Sequence, residues 1–228
     1  MVDHNLVLNE KGKLNIYTDT WNLEVGICPC DVHLNEFVAA KKIRNGAIFH
    51  FGTGAHHIVG IDAAENGRNN SVLAITASTG EYDSYVKLLI ERPEVGNAYK
   101  AYFGDIYQLD KRLLPELDVV SLFHLCEFRT DTQDSYGALT DIEVAKLLVD
   151  KLKPGGWVLF YTGSMAFDDA KGVIAKLAKQ RPIVRHPDFK MLQVYRKAAR
   201  STAAKRPAKA KRAAPKAKTR AKPKRKTK

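Results

Sequence analysis

The sequence predicts an α/β fold: a doubly wound, mostly parallel sheet closed by a C-terminal antiparallel hairpin, with a basic tail appended. Three observations predict it. Short apolar runs alternate with amphipathic segments of ten or more residues, the pattern of a parallel sheet covered on both faces. The last two extended runs are separated by only one or two residues, too few for a crossover, so they pair antiparallel. Near residue 197 the composition collapses to Lys, Arg, Ala, Pro and Thr.

The elements follow in order. Asp31–Arg44 reads as a helix, with Asp31 as its N-cap and Leu34, Phe37, Val38 and Ile43 near one face. Asn45-Gly46 stops it. The apolar run Ala47–Phe51 is a strand, followed at once by Gly52-Thr53-Gly54 and a helix to about Glu65. Residues 66–70 form a turn. Val72–Ala77 is the second strand, Tyr82–Glu91 a helix ending before Pro93, and Ala98–Phe103 the third strand. Asp118–Leu125 is a fourth strand, apolar enough to be buried on both faces. Thr140 and Glu143 make a capping box opening a helix through Leu152. Lys153-Pro154-Gly155-Gly156 breaks that helix before a fifth strand, Trp157–Tyr161. A helix over Asp168–Lys179 and the runs Ile183–Phe189 and Met191–Tyr195 complete the domain, assigned to residues 1–196.

The net charge of +12 over 228 residues is unevenly placed. Residues 196–228 hold 16 Lys or Arg and no acid, leaving 21 basic against 25 acidic residues in the body, a net of −4. Three cysteines make no disulfide framework, the opening Met-Val-Asp-His-Asn is no secretory signal, and no apolar run approaches the roughly 20 residues of a membrane helix. A reduced, cytoplasmic protein is expected, nucleoid-associated if the tail holds it there.

A strand running through Phe51 into Gly-x-Gly at the mouth of a helix is a ligand turn in doubly wound folds. Glycine permits close backbone approach, and the helix N-terminus favours an anion. So short a motif serves equally as a plain strand–helix turn. A dinucleotide site asks for a third glycine where His57 stands and an acid ending the second strand, where Thr76-Ala77-Ser78 stands. NAD is disfavoured.

The wider constellation resembles the class I S-adenosylmethionine-dependent methyltransferases over about residues 31–196. His50-Phe51-Gly52-Thr53-Gly54 keeps two glycines of that family's first motif and lacks its acid and third glycine. Gly104-Asp105-Ile106 matches the acid after the third strand, Asp118-Val119-Val120 the start of the fourth, and Leu152-Lys153-Pro154-Gly155-Gly156 the turn before the fifth. The resemblance implies S-adenosylmethionine as cofactor, bound by Phe51, Gly52, Thr53, Gly54, Thr76, Glu81, Asp105 and Ile106. The backbone at Gly52 and Gly54 meets the methionine portion. Thr76, with Glu81 standing in for the usual acid, meets the ribose diol; Asp105 and the Ile106 N–H meet adenine. Asp118 reads as a structural strand-start residue.

Methyl transfer requires alignment and, for some acceptors, a base. His124, near the end of the fourth strand, is the candidate base or else a packed histidine; of His56 and His57, one is expected to face the cleft. The loop from Glu127 to Leu139 is placed for acceptor binding or is simply solvated. Cys28-Pro29-Cys30-Asp31-Val32-His33 has zinc-type ligands but no fourth partner, with Cys126 distant, so no metal is expected. The segment reads as a loop entering the first helix and lying over cofactor or substrate.

The tail, 197–228, resembles the Ala/Lys/Pro-rich arms of linker histones. Pro207, Pro215 and Pro223 interrupt any helix, so it is expected to be disordered. Its cations suit nucleic acid or another polyanion without sequence specificity, since no aromatic is interleaved. Two functions follow: a methyltransferase tethered by its tail, or a non-catalytic nucleic-acid-binding protein on a degenerate Rossmann-like domain. The methyl acceptor and the oligomeric state leave no signature in the sequence.

Overall fold

The computed structural model describes residues 6–9 and 14–199. A two-stranded antiparallel hairpin, β1 (Leu6–Asn9) and β2 (Leu14–Tyr17), precedes the main sheet, and nothing in the sequence pattern announced it. The main sheet has seven strands in the order β5-β4-β3-β6-β7-β9-β8. These are β3 (Ala47–Phe51), β4 (Ser71–Thr76), β5 (Tyr99–Phe103), β6 (Leu117–Ser121), β7 (Leu152–Tyr161), β8 (Ile183–Arg185) and β9 (Leu192–Lys197). β3 through β7 run parallel, while β9 lies antiparallel between β7 and β8. The expected fold class stands, terminal hairpin included.

Five α-helices cover the sheet: α1 (Cys30–Ala40), α2 (Ile58–Glu65), α3 (Thr79–Glu91), α4 (Asp141–Lys151) and α5 (Phe167–Gln180). The period-2 alternation of each strand sends neighbouring side chains to opposite layers. Ile48 and Val119 join Leu34 and Phe37 of α1, Val59 of α2 and Tyr85 of α3 on one face. Phe49, Phe51 and Val120 join Leu148 of α4 and Leu177 of α5 on the other. α2 can approach β5 closely because residue 60 is glycine: a Cβ there would stand 2.2 Å from the Tyr99 ring.

Several boundaries differ from expectation for local reasons. Pro29, not Asp31, caps α1; Asp31 sits one step inside the first turn, its side chain buried instead of bonded to the helix end. β6 stops at Ser121, so the apolar Leu122–Leu125 is buried turn, not strand, and His124 belongs to that turn. The helix ends at Lys151 just before Lys153–Gly156, as expected, but the fifth strand starts earlier than Trp157: β7 begins at Leu152, with an irregular register against β6 between Leu117 and Val119. β8 ends at Arg185, short of the expected Phe189, but the tight turn stands: Phe189 and Leu192 bridge antiparallel across Lys190 and Met191, exchanging N–H to carbonyl bonds at 3.0 and 2.8 Å. Asp118 plays the structural part expected of it, accepting from Ala47 N at 2.8 Å and Lys153 Nζ at 2.7 Å. The Thr140 capping box is formed.

β9 extends to Lys197, whose Nζ donates to the carbonyls of Val149 and Leu152 at 2.8 and 2.7 Å. Arg196 Nε donates to Gly155 O at 2.9 Å. Strand structure therefore continues through Lys197. The disorder expected of the tail concerns residues that, from 200 onward, lie outside the described ones. Among the described residues no helix is long and apolar enough to cross a membrane.

Candidate active site

Neighbouring strands β3 and β6 send their chains to opposite faces, β3 into α2 and β6 toward α4. Between diverging connections no backbone covers the carboxyl ends of the strands, and ligands of open α/β sheets bind there. A cavity of about 280 Å³ opens at this point. It is walled by residues from the carboxyl ends of β3, β4, β5, β6 and β7, by the start of α1, and by Tyr17, Trp21 and Asn22 of the N-terminal segment.

The glycine turn forms one wall. Gly52 has φ +85° and Gly54 φ +52°, the left-handed region that favours glycine. A Cβ on Gly52 would point at His124 Cδ2, 3.7 Å away, across the cavity. The N-terminal segment folds over this turn: Ala55 N donates to Trp21 O at 2.7 Å, Tyr17 N to Ala77 O at 2.9 Å, and Ser78 Oγ to Asp19 O at 2.5 Å. Phe128 receives Tyr17, Trp21 and Phe51 edge-on from three sides.

Of the residues expected to hold the cofactor, Phe51, Gly52, Gly54, Thr76, Glu81, Asp105 and Ile106 all line this cavity. Thr53 is turned inward, 1% exposed, and reaches the wall only through Glu81. Glu81 Oε2 accepts the hydroxyls of Thr76 at 2.6 Å and Thr53 at 3.0 Å. A carboxylate thus stands at the end of β4 although that strand ends in threonine. Asp105 is 6% exposed and already partly engaged: Oδ1 accepts from Tyr107 N and Oδ2 from Gln133 Nε2, each at 2.8 Å. The turn-capping role considered for it is therefore real, and it coexists with a place in the cavity wall. Gln133 comes from the loop placed for acceptor binding, so part of that loop braces Asp105. Burial pushes the carboxyl pKa of both Glu81 and Asp105 up, against the hydrogen bonds that pull them down.

His124 faces the glycine turn. Its Nδ1 is 2.8 Å from Glu127 Oε2, which also accepts from Ser164 Oγ at 3.0 Å. Burial lowers the His124 pKa, but the hydrogen bond and charge of Glu127 outweigh it, and the net shift is upward. His56 lines the cavity, whereas His57 packs: it is 3% exposed, donates from Nε2 to Glu81 O at 3.1 Å, and shares a hydrogen bond with Tyr99 Oη at 2.9 Å. Burial drives its pKa down to about 4, so it is neutral.

Some site residues were not legible along the chain. Asp31 places a buried carboxylate 3.3 Å from His50 Nε2 and 3.6 Å from His56 Nε2. It brings to the glycine turn the acid that the turn's own strand lacks. Burial opposes its charge, but the two histidines prevail and its pKa falls below the ordinary value. His50 shares a 2.8 Å hydrogen bond with Ser121 Oγ. Cys28 and Cys30 also face the cavity, their sulfurs 3.4 Å apart. Sharing that contact pulls the Cys28 pKa down to about 6 and pushes Cys30 up. The Cys28–Cys30 segment lies over the cavity, as its position before α1 predicted.

The raised Glu81 carboxyl sets a sign that can be measured. An acid whose native pKa exceeds its unfolded one stabilises the fold below the unfolded value, about 4.3, and loses that contribution as pH rises through the native one. Glu81→Gln removes the titration. The melting temperature of the variant minus that of the parent should rise between pH 4 and pH 7 in ligand-free protein. A difference that falls over that range contradicts the burial-dominated environment.

No family model matches the chain, and no curated protein matches it by sequence. Solved structures match it in fold. The CcbJ methyltransferase from Streptomyces caelestis gives a TM-score of 0.54 at 17% identity, over 80% of this chain and 95% of that one. An O-methyltransferase family protein from Burkholderia thailandensis gives 0.50 at 13% identity, over 75% of this chain but only 55% of its own. The cyclase SpnF gives 0.50 at 15% identity, over 78% of this chain and 66% of its own. At such identities the likeness is one of architecture. The seven-stranded sheet with its antiparallel β9 is the class I methyltransferase fold.

Proposed function

We propose that this chain binds S-adenosylmethionine in the β3/β6 cavity and transfers its methyl group to an acceptor. One observation carries the reading: the Gly52–Gly54 turn and the Asp105 carboxylate, far apart in sequence, wall the same cavity. The residues present fit the cofactor. Gly52, without a side chain, leaves open the space toward His124. Glu81 offers a carboxylate where a ribose diol needs one, and a carboxylate acceptor is stronger than the Thr76 hydroxyl alone. Asp105, bonded by Tyr107 N and Gln133 Nε2 with the Tyr136 hydroxyl beside it, keeps acceptor capacity for an adenine amino group, next to Ile106.

When bound, the cofactor supplies a methyl group already activated on a sulfonium. The chain's work is then alignment, charge balance and exclusion of water. Asp31, held anionic by His50 and His56, places negative charge in the wall. Trp21 and Phe128 cover the cavity with aromatic surface. His124, oriented by Glu127, stands opposite the glycine turn, where an acceptor must give up its proton.

Calorimetry tests this. S-Adenosylmethionine and S-adenosylhomocysteine should bind the full chain. Asp105→Ala should weaken binding by about 10- to 100-fold, the worth of a hydrogen bond to a charged group, and Gly52→Val should weaken it at least as much with the circular dichroism spectrum retained. Absence of binding to the parent protein at millimolar ligand removes the enzyme reading and leaves a nucleic-acid-binding module. Unchanged affinity in Asp105→Ala overturns the site assignment alone.

The tail adds a second part: its dense cations tether the domain to nucleic acid by charge. Because Arg196 and Lys197 belong to β9, the informative truncation falls after Ala199. It should leave the melting temperature unchanged and abolish salt-sensitive retention on a DNA column. Retention as strong as the full chain's refutes the tether.

A further inference from the structure

In sequence Cys28 and Cys30 stand beside His33 with no fourth ligand near; in the fold it is His124 that meets the two sulfurs. A ring nitrogen of His124 and the sulfurs of Cys28 and Cys30 all lie within 4.8 Å of one another. We propose that Cys28, Cys30 and His124 form a zinc site whose fourth position opens into the cavity.

Four observations support it. First, two thiols and an imidazole are the ligand set zinc prefers, and tetrahedral Zn–S and Zn–N bonds of roughly 2.3 and 2.0 Å set ligand atoms about 3.6–3.8 Å apart. The observed Sγ–Sγ separation of 3.4 Å needs an adjustment of tenths of an ångström, and the histidine a rotamer-scale approach. Second, His124 Nδ1 is held by the Glu127 carboxylate at 2.8 Å, which leaves Nε2 as the nitrogen free to ligate. A carboxylate on the far nitrogen is the usual partner of a zinc-bound histidine, fixing its tautomer and ring plane. Third, Pro29 and the first turn of α1 hold both sulfurs on the cavity side, at a helix N-terminus that favours thiolates. Fourth, the Tyr161 hydroxyl is buried beside Cys28 and finds no hydrogen-bond partner of normal geometry among the described residues. A group bound at the open position would supply one.

Three protein ligands and one open position is the arrangement of reactive, not purely structural, zinc. Binding displaces the two thiol protons to solvent and leaves a thiolate pair on the metal. It also reassigns His124: the lone pair that would have taken an acceptor's proton holds the metal, and a thiol or hydroxyl entering the open position would, its pKa lowered by the metal, release its proton to solvent instead. The site stands on Cys28, Cys30, His124 and Glu127 and does not require the methyl-donor reading.

The full chain, reduced and stripped by chelator, is titrated with zinc alone and its metal content measured after desalting; cobalt(II) serves as the spectroscopic probe for thiolate ligation. One equivalent of zinc is expected, with cobalt–thiolate charge-transfer absorption. Affinity should fall by more than about 100-fold in Cys28→Ser, Cys30→Ser and His124→Ala, and by about 10- to 100-fold in Glu127→Gln. It should not change in Cys126→Ser, which removes the remaining cysteine. Circular dichroism checks each fold, and His124→Asn replaces His124→Ala if the latter unfolds. No binding by the reduced chain, binding that survives loss of both cysteines, or a Cys28–Cys30 disulfide in protein prepared with zinc present overturns the proposal. S-Adenosylhomocysteine affinity of the stripped chain is read in parallel, so failure of the metal site and failure of the donor site are separable.

Discussion

Two parallel strands that lie side by side and part company at their ends are the constraint on which this structure depends. β3 and β6 pair along His50 and Ser121, then deliver their chains to opposite faces of the sheet. Neither of the two connections leaving these strands covers the gap between them, so a crevice there is a consequence of topology. What lines it is a consequence of sequence. The turn after β3 must tighten without a side chain in the way, and Gly52 at φ +85° meets that need. The hairpin and the segment through Asn22 then roof the crevice, tied down by backbone bonds to Ala55 and Ala77.

The roofed cavity is unusually rich in ionisable groups, and burial makes each one's partner matter. Glu81 accepts two threonine hydroxyls, Asp105 a backbone amide and Gln133, and Asp31 the Cys30 thiol at 3.4 Å with two imidazoles beside it, while His124 shares a hydrogen bond with Glu127. The carboxylates divide by whether their partners outweigh burial. Asp31, beside two imidazoles, is drawn toward its charged form despite burial, whereas at Glu81 and Asp105 burial outweighs the hydrogen bonds and pushes the pKa up.

The sheet was legible because its strands are short apolar runs punctuated by Gly, Pro and Asn, and because helix caps such as Thr140 act locally. The final hairpin was legible from connection length alone. β1 and β2 were not: beyond their pairing with each other, Asn15 and Tyr17 are anchored by Thr130 and Phe128, remote in sequence. The end of β6 was missed because buried turn and buried strand share the same apolar composition from Leu122 to Leu125. In the site, the glycine turn, Glu81 and Asp105 could be placed by their order after successive strands. Asp31 beside the glycine turn and the meeting of His124 with Cys28 and Cys30 could not, because they join segments far apart in sequence that only the fold brings together, and Glu127 could not because its role depends on the turn His124 occupies. Only the Cys-x-Cys-Asp run, read without a partner, hinted at them.

Hydrogen exchange with and without S-adenosylhomocysteine tests the central claim most directly. Ligand at the β3/β6 crevice should slow exchange at the amides of Gly52–Ala55 and of Ile106 and Tyr107 together, with α4 and α5 unaffected. Protection confined to one of those two turns, or found only elsewhere, contradicts a single crevice that holds both ends of the donor.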